Sequence, residues 1–217
     1  MAHIEQLDFV SRIGRLLPRY FSRATVLEIG SLDINGTIRS AFTNCQYTGI
    51  DVAAGPGVDV VCEGQQYDAA DDSFDIVISC EVMEHNPHWV ETFKNMVRLS
   101  KRDGLIVMTC GSLGRPEHGT SRSNIDASPL TVSKGWEYYR NLAPRDFINS
   151  GCVAGLCTWK FFENWRAYDL YFVGSKSRLD PAAEAQLSAL ERHYRAETFK
   201  TAKGLRRYLK AKYLLRK

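Results

Sequence analysis

The stretch Thr25-Val-Leu-Glu-Ile-Gly-Ser-Leu-Asp-Ile-Asn-Gly36 joins a short apolar run to a glycine-bounded loop, and its reading decides the fold. Residues 25–29 have the length and branched side chains of a strand. Similar runs follow at Tyr47-Thr-Gly-Ile-Asp51, Val58-Asp-Val-Val-Cys62, Phe74-Asp-Ile-Val-Ile-Ser-Cys80 and Leu105-Ile-Val-Met-Thr109. Strands apolar nearly throughout suit a parallel sheet covered on both faces, whose neighbours need crossover connections. Residues 87–99 supply one such helix, with Trp89, Phe93, Met96 and Val97 on one face, whereas the links among the first three strands leave room only for brief helices. The second strand ends in Asp51, 21 residues beyond Gly30. A glycine turn after the first strand and a carboxylate about 20 residues later are what an open α/β sheet uses to hold ribose hydroxyls, so an adenosine-containing cofactor is expected.

Working outward, Ile4, Leu7, Val10, Ile13 and Leu17 recur at helical spacing, which predicts an amphipathic helix ending near Pro18 and covering one edge of the core. Residues 143–148 read as a short helix, and residues 168–173 as a final strand, plausibly antiparallel. Between Gly111 and Lys134 runs a polar stretch longer than ordinary connections, the length of a lid or substrate-facing loop. From Pro181 onward Ala182, Ala185, Leu187, Leu190, Tyr194 and Phe199 favour a helical extension, interrupted near Gly204 and resumed through Leu205, Tyr208, Leu209 and Tyr213. Two units are expected: residues 1–176 as the α/β domain and residues 177–217 as a basic helical extension.

At 217 residues, with 44% apolar and 24% charged residues, the chain has the composition of a globular protein with one well-buried core. No apolar run approaches the roughly 20 residues needed to cross a bilayer, and residues 1–17 lack the basic-then-apolar order of a signal peptide. A cytoplasmic location is expected. Cys45, Cys62, Cys80, Cys110, Cys152 and Cys157 form no Cys-x-x-Cys pair and read as buried thiols. Eight cations between Lys200 and Lys217 meet no acid, and taking them from the net charge of +3 leaves −5 for residues 1–199. The stripe of Leu205, Tyr208, Leu209 and Tyr213 flanked by these cations suits packing on the acidic body or a homodimer contact, then an anionic membrane surface, with nucleic acid the least favoured partner.

Four motifs in register, Glu28-Ile-Gly30, Asp51, Ser73-Phe-Asp-Ile-Val77 and Glu81-Val-Met-Glu-His85, resemble the class I S-adenosylmethionine-dependent methyltransferases of the type 11-like group. The resemblance spans roughly residues 20 to 112 and weakens toward about 175. It implies a Rossmann-like, mostly parallel sheet with helices on both faces, an antiparallel last strand and a C-terminal helical extension, with S-adenosylmethionine as cofactor. Residue by residue, it implies cofactor contacts from Glu28, Gly30, Ser31, Asn35 and Gly36 around the methionine part. Asp51 and Val52 would lie at the ribose, Glu63 and Gly64 near the adenine, and Cys80 and Glu81 at the closing wall. The chain departs from the family where glycines usually stand two and four residues after the first, because Leu32 and Ile34 occupy those positions and the turn is deferred to Asn35-Gly36.

Methyl transfer needs alignment first and a base only when the acceptor must lose a proton. His118, and next His85, are the candidate bases, with Arg115, Arg122 and Tyr138 or Tyr139 as shapers of an acceptor pocket, the arginines favouring an anionic group; the acceptor class expected is a small molecule or glycan taking the methyl on oxygen. Glu81 and His85, at i and i+4, are alternatively a structural pair. The spacing of His and acidic residues gives no metal motif. Two other functions stay open: a dinucleotide-dependent oxidoreductase, which needs Gly-x-Gly-x-x-Gly opening a helix, and a non-catalytic scaffold with this fold.

Overall fold

A computed structural model describes residues 4–214; Met1 to His3 and Leu215 to Lys217, including the tail cations Arg216 and Lys217, lie outside the described residues. In chain order the elements are α1 (Ile4–Leu16), β1 (Thr25–Ile29), β2 (Gln46–Asp51), β3 (Val60–Val61), β4 (Phe74–Cys80), α2 (Trp89–Leu99), β5 (Ser100–Gly111), α3 (Pro129–Ser133), α4 (Pro144–Asn149), β6 (Thr158–Asn164), β7 (Asp169–Ser175), α5 (Pro181–Phe199) and α6 (Ala202–Leu214). The strands form a single sheet in the order β3-β2-β1-β4-β5-β7-β6. The first five are parallel, and β7 runs antiparallel to both β5 and β6. Register brings Ile29 beside Ser79 and Cys80 beside Thr109, so the parallel strands end together at one edge. That edge is where ligands meet open α/β sheets.

Each face of the sheet has its own core. On one, α1 presents Phe9, Val10 and Ile13, spaced for a helical stripe, and α5 adds Ala183, Leu187, Leu190 and Tyr194. Phe9 stacks on Tyr171 at 4.4 Å between ring centroids. On the other face α2 buries Trp89, Phe93, Met96 and Leu99, with Phe147 of α4 edge-on to Trp89 at 5.0 Å. The start of α5 is fixed by its sequence: Asp180 accepts a hydrogen bond from Ala183 N at 2.9 Å, and Pro181 occupies the first turn.

The mostly parallel α/β sheet with an antiparallel last strand is as expected, and so is the brevity of the early connections, since only a single 3-10 turn, Ile38–Ala41, joins β1 to β2. Several expectations are corrected. The first helix lies over a sheet face, not an edge, because its aromatic stripe reaches β6, β7 and α5. Strand β3 shrinks to two residues, with Val60 and Val61 exposed at the sheet edge. Strand β6 escapes the sequence reading because Lys160 and Glu163 interrupt its apolar residues and its outer side, at Trp159, faces solvent. The helical break falls at Lys200 and Thr201; Gly204 lies inside α6, where a Cβ would come within 2.3 Å of the Thr198 carbonyl oxygen. Gly204 and Ala211 face the body, so of the apolar stripe Tyr208 packs against Trp165 and Phe199 while Leu205, Leu209 and Tyr213 are exposed. Cys157 is exposed, and Cys45 and Cys62 are half-buried. Among the described residues, no helix is long and apolar enough to cross a membrane.

Candidate active site

The loop after β1 turns back at once. Gly30 adopts φ +84°, its N–H and that of Ser31 both reach the Ile50 carbonyl, and a Cβ on Gly30 would fall 2.0 Å from Val82 Cγ2. Only glycine fits both the conformation and the approach of the β4 end. At the end of β2, Asp51 accepts from Leu32 N at 3.1 Å and Val52 N at 2.7 Å, so its carboxylate ties the glycine-poor loop to the second strand. Each oxygen keeps a second lone pair for a ligand. Further on, Gly36 turns at φ +116° with its N–H on Asp33 Oδ1 at 2.8 Å. The loop then enters the 3-10 turn instead of an α-helix, so among the described residues no helix N-terminus follows Gly30 to receive a pyrophosphate. The oxidoreductase alternative is left without its phosphate site.

These elements frame a cleft at the carboxyl edge of the sheet, where small-molecule sites of open α/β folds lie. Its floor is made by Gly30, Asp51, Val52, Gly64, Cys80 and Glu81, with His85 beside them. Ala127, Pro129 and Leu130 from the long polar segment and Trp136 just after it cover the cleft, and Lys134 of that segment pairs with Glu63 at 2.6 Å. Glu28, Ser31 and Gly36 line a smaller recess next to the cleft, sharing Gly30, Leu32 and Cys80 with it. Glu63 is thus on the lid latch and not on the cleft wall, and Asn35 is exposed away from both spaces.

Burial pushes the Glu28 carboxyl up from 4.5 to about 7, against the lowering effect of the hydrogen bond that Tyr47 donates at 2.7 Å. The folded value lies above the unfolded one, so the group's contribution to stability is complete below about 4.5 and is lost as pH rises through about 7. Glu28→Gln keeps a neutral acceptor for Tyr47 at every pH. Its unfolding free energy is expected to gain on wild type by up to about 3 kcal/mol between roughly pH 5 and pH 8. Parallel curves in urea denaturation across that range would show that Glu28 stays ionised.

Beyond β4 the chemistry becomes crowded. Glu81 sits at φ +56°, a conformation that costs a non-glycine residue about 1–3 kcal/mol and is tolerated where surroundings enforce it. Here Thr109 donates to its Oε1 at 3.1 Å and Arg115 pairs with its Oε2 at 3.0 Å. Arg115 also pairs with Asp169, which in turn accepts from Tyr171. Burial raises the Asp169 carboxyl well above its usual value. The expectation that Arg115 is held for an anionic acceptor is corrected by these two carboxylates, and Arg122 is likewise engaged by Glu117 at 2.8 Å. Glu84, fully buried, takes Gly111 N on Oε1 at 2.7 Å, and burial raises its pKa too. His85 is driven down to about 3 by burial first and by His118 next, so its ring is neutral. His118 stands edge-on to His85 at 4.8 Å and Tyr139 at 4.9 Å. Its Nδ1 lies 3.0 Å from the Pro116 carbonyl, which can only accept; the proton is therefore on Nδ1 and the lone pair on Nε2. Asp169 and Glu84 were not singled out by sequence; the first had a signal, a lone acid opening an apolar strand.

Residues 17–108 match the family model described as a methyltransferase domain. Among solved structures, the chain resembles the 1,6-didemethyltoxoflavin-N1-methyltransferase of Burkholderia thailandensis, which holds its substrate and S-adenosylhomocysteine, at TM-score 0.55 and 15% identity over 80% of this chain and 79% of that one. A TehB-like S-adenosylmethionine-dependent methyltransferase from Corynebacterium glutamicum gives TM-score 0.50 and 18% identity over 77% and 88%. Phosphoethanolamine N-methyltransferase 2 of Haemonchus contortus, in complex with S-adenosyl-L-methionine, gives 0.53 and 15% over 98% of this chain and 49% of that chain. No curated protein matches the chain by sequence. Residues 17–108 thus carry a methyltransferase domain, and the sheet has the fold of the class I S-adenosylmethionine-dependent methyltransferases.

Proposed function

We propose that the protein methylates an oxygen of a small-molecule or glycan-type acceptor, using the cleft at the carboxyl edge of the sheet for S-adenosylmethionine and the His85–His118 end for the acceptor. The observation that carries the reading is the convergence of Gly30, Asp51, Val52, Gly64, Cys80 and Glu81 on one cleft bordered by His85. The residues present fit the cofactor's chemistry. The cradle at Gly30 admits close approach, Asp51 keeps lone pairs for a ribose diol, and the adjoining recess offers the Glu28 carboxyl and a Ser31 hydroxyl buried with no partner. When bound, the cofactor supplies a methyl group on a positively charged sulfur.

Everything else falls to the chain itself. Glu28 and Ser31 suit the ammonium and carboxylate of the methionine end, and Glu63 acts on the adenine side through its hold on Lys134. The segment from Gly111 to Lys134 excludes water by lying across the cleft, which strengthens electrostatic contacts inside it. The His118 Nε2 lone pair is available to an acceptor hydroxyl, which favours oxygen over other acceptor atoms. Buried thiols at Cys80, Cys110 and Cys152 are in keeping with a cytoplasmic setting.

Calorimetry with S-adenosylhomocysteine tests the cofactor half of the reading. Asp51→Ala is expected to lose about 1.5 to 3 kcal/mol of binding, the worth of charge-assisted hydrogen bonds to hydroxyls. Unchanged affinity would remove Asp51 from the ribose site. The acceptor half is tested by following S-adenosylhomocysteine formation over a panel of hydroxyl-bearing small molecules and glycans beside matched amines; turnover with amines alone would overturn the oxygen assignment.

A further inference from the structure

The groups at the acceptor end hold more ligand capacity than a proton transfer needs. Glu84, His85 and His118 each offer one donor atom, and these three atoms all lie within 4.8 Å of one another. Glu84 is fully buried, and its Oε2 has no hydrogen-bond partner while Oε1 is held by Gly111 N. His85 is 3% exposed, and its Nδ1 also has no partner. Leaving such atoms unmatched in the interior costs free energy, and buried polar atoms are almost always satisfied. His118 donates Nδ1–H to the Pro116 carbonyl, the arrangement that fixes a metal-binding histidine and aims its other nitrogen.

Charge points the same way. Three buried carboxylates, Glu81, Glu84 and Asp169, surround one guanidinium, Arg115, whose ion pairs go to Glu81 and Asp169. Glu84 stands third in line for that one guanidinium in a space shielded from water, and a divalent cation beside it would offset the cost of burying its ionised form.

We propose that Glu84, His85 and His118 form a binding site for a divalent first-row transition-metal ion beside the cofactor cleft. Two imidazoles with one carboxylate select such ions over magnesium and calcium, which take oxygen ligands. Bonds of about 2.1 Å place ligand atoms closer together than they stand here, so the site tightens by small side-chain rotations, the lid residue His118 moving most. Three protein ligands leave positions open for acceptor oxygens. The inference rests on the reading of this end of the cleft as the acceptor's, and assigns His118 to the ion instead of to a proton.

The test uses the full chain stripped with a chelator and titrated with Mn2+ and Zn2+, with Mg2+ in parallel. One equivalent of a transition ion is expected to bind. Glu84→Gln and His118→Ala should each weaken it by at least about tenfold. His118→Ala should keep the wild-type melting temperature in chelator, since the residue sits on the lid and outside the core. Absence of binding, or equal binding by the His118→Ala protein, overturns the site and leaves His118 as a proton acceptor. S-adenosylhomocysteine binding, measured on the same samples in chelator, reports on the cofactor reading separately. A protein that takes metal and no cofactor overturns that reading and not this one.

Discussion

Arg115→Met is expected to lower the free energy of unfolding by about 3 to 5 kcal/mol near neutral pH, the usual cost of removing one partner from a buried ion pair. The side chain of Arg115 is 12% exposed, and it holds together the end of β4 through Glu81, the start of β7 through Asp169 and the root of the lid through its own backbone. Without the guanidinium, Glu81 and Asp169 face one another at close range inside the protein. Burial already raises the Asp169 and Glu84 carboxyls. In the variant their folded values rise further, so the remaining stability is greatest at low pH and is lost as pH rises. The deficit relative to wild type should therefore widen from about pH 5 to about pH 8 in urea denaturation. Adding Asp169→Asn should recover part of it, because the two positions share one network and their effects are not additive. A deficit under about 1 kcal/mol at pH 8 would mean that the cluster is wetter than its burial implies.

The second large effect is expected at Phe9. Its ring is fully buried, stacked on Tyr171 and within 5.6 Å of Phe162 and 6.2 Å of Tyr194 between centroids. Phe9→Ala removes the contact through which α1 joins β6, β7 and α5, and a loss of about 3 to 5 kcal/mol is expected. Affinity for S-adenosylhomocysteine in the fraction that remains folded should be unchanged, since the cleft lies at the strand ends on residues 30–85 and the lid. A matching loss of affinity would show that the core face and the cleft are coupled.

The sequence displayed what is local and periodic. Strands β1 and β4 were readable to the residue because they are buried on both sides and their apolar residues outnumber the polar ones that interrupt them. Gly30 and Asp51 were readable because a backbone turn and a terminal carboxylate constrain residue type. Strand β6 was not, since an edge strand needs only one apolar side. Asn35 and Glu63 show a different limit: neighbours in sequence predict a loop's presence near the cofactor but not which of its side chains turn inward, and here Ile34 and Cys62 line the cleft in their place, beside the expected Gly64. The direction of the α6 stripe was hidden for a related reason. Packing selected the small residues Gly204 and Ala211 for the close approach and left Leu205, Leu209 and Tyr213 outside. Arg115 reads in sequence as a free cation, and only the strand order brings Asp169 to it across 54 positions.

Strand order also governs synthesis. Helix α1 leaves the ribosome ahead of the sheet it packs on, yet the rings that cover Phe9 belong to Phe162, Tyr171 and Tyr194. At about 5 to 20 residues per second, the roughly 160 residues between Phe9 and Tyr171 take on the order of ten to thirty seconds to appear. Throughout that interval the Phe9 ring waits for these partners, while β1, β2 and β4 have already become available to pair. A helix made before its sheet thus waits for β6, β7 and α5 to complete its shelter, and its Phe9 side is where a chaperone working during translation would act.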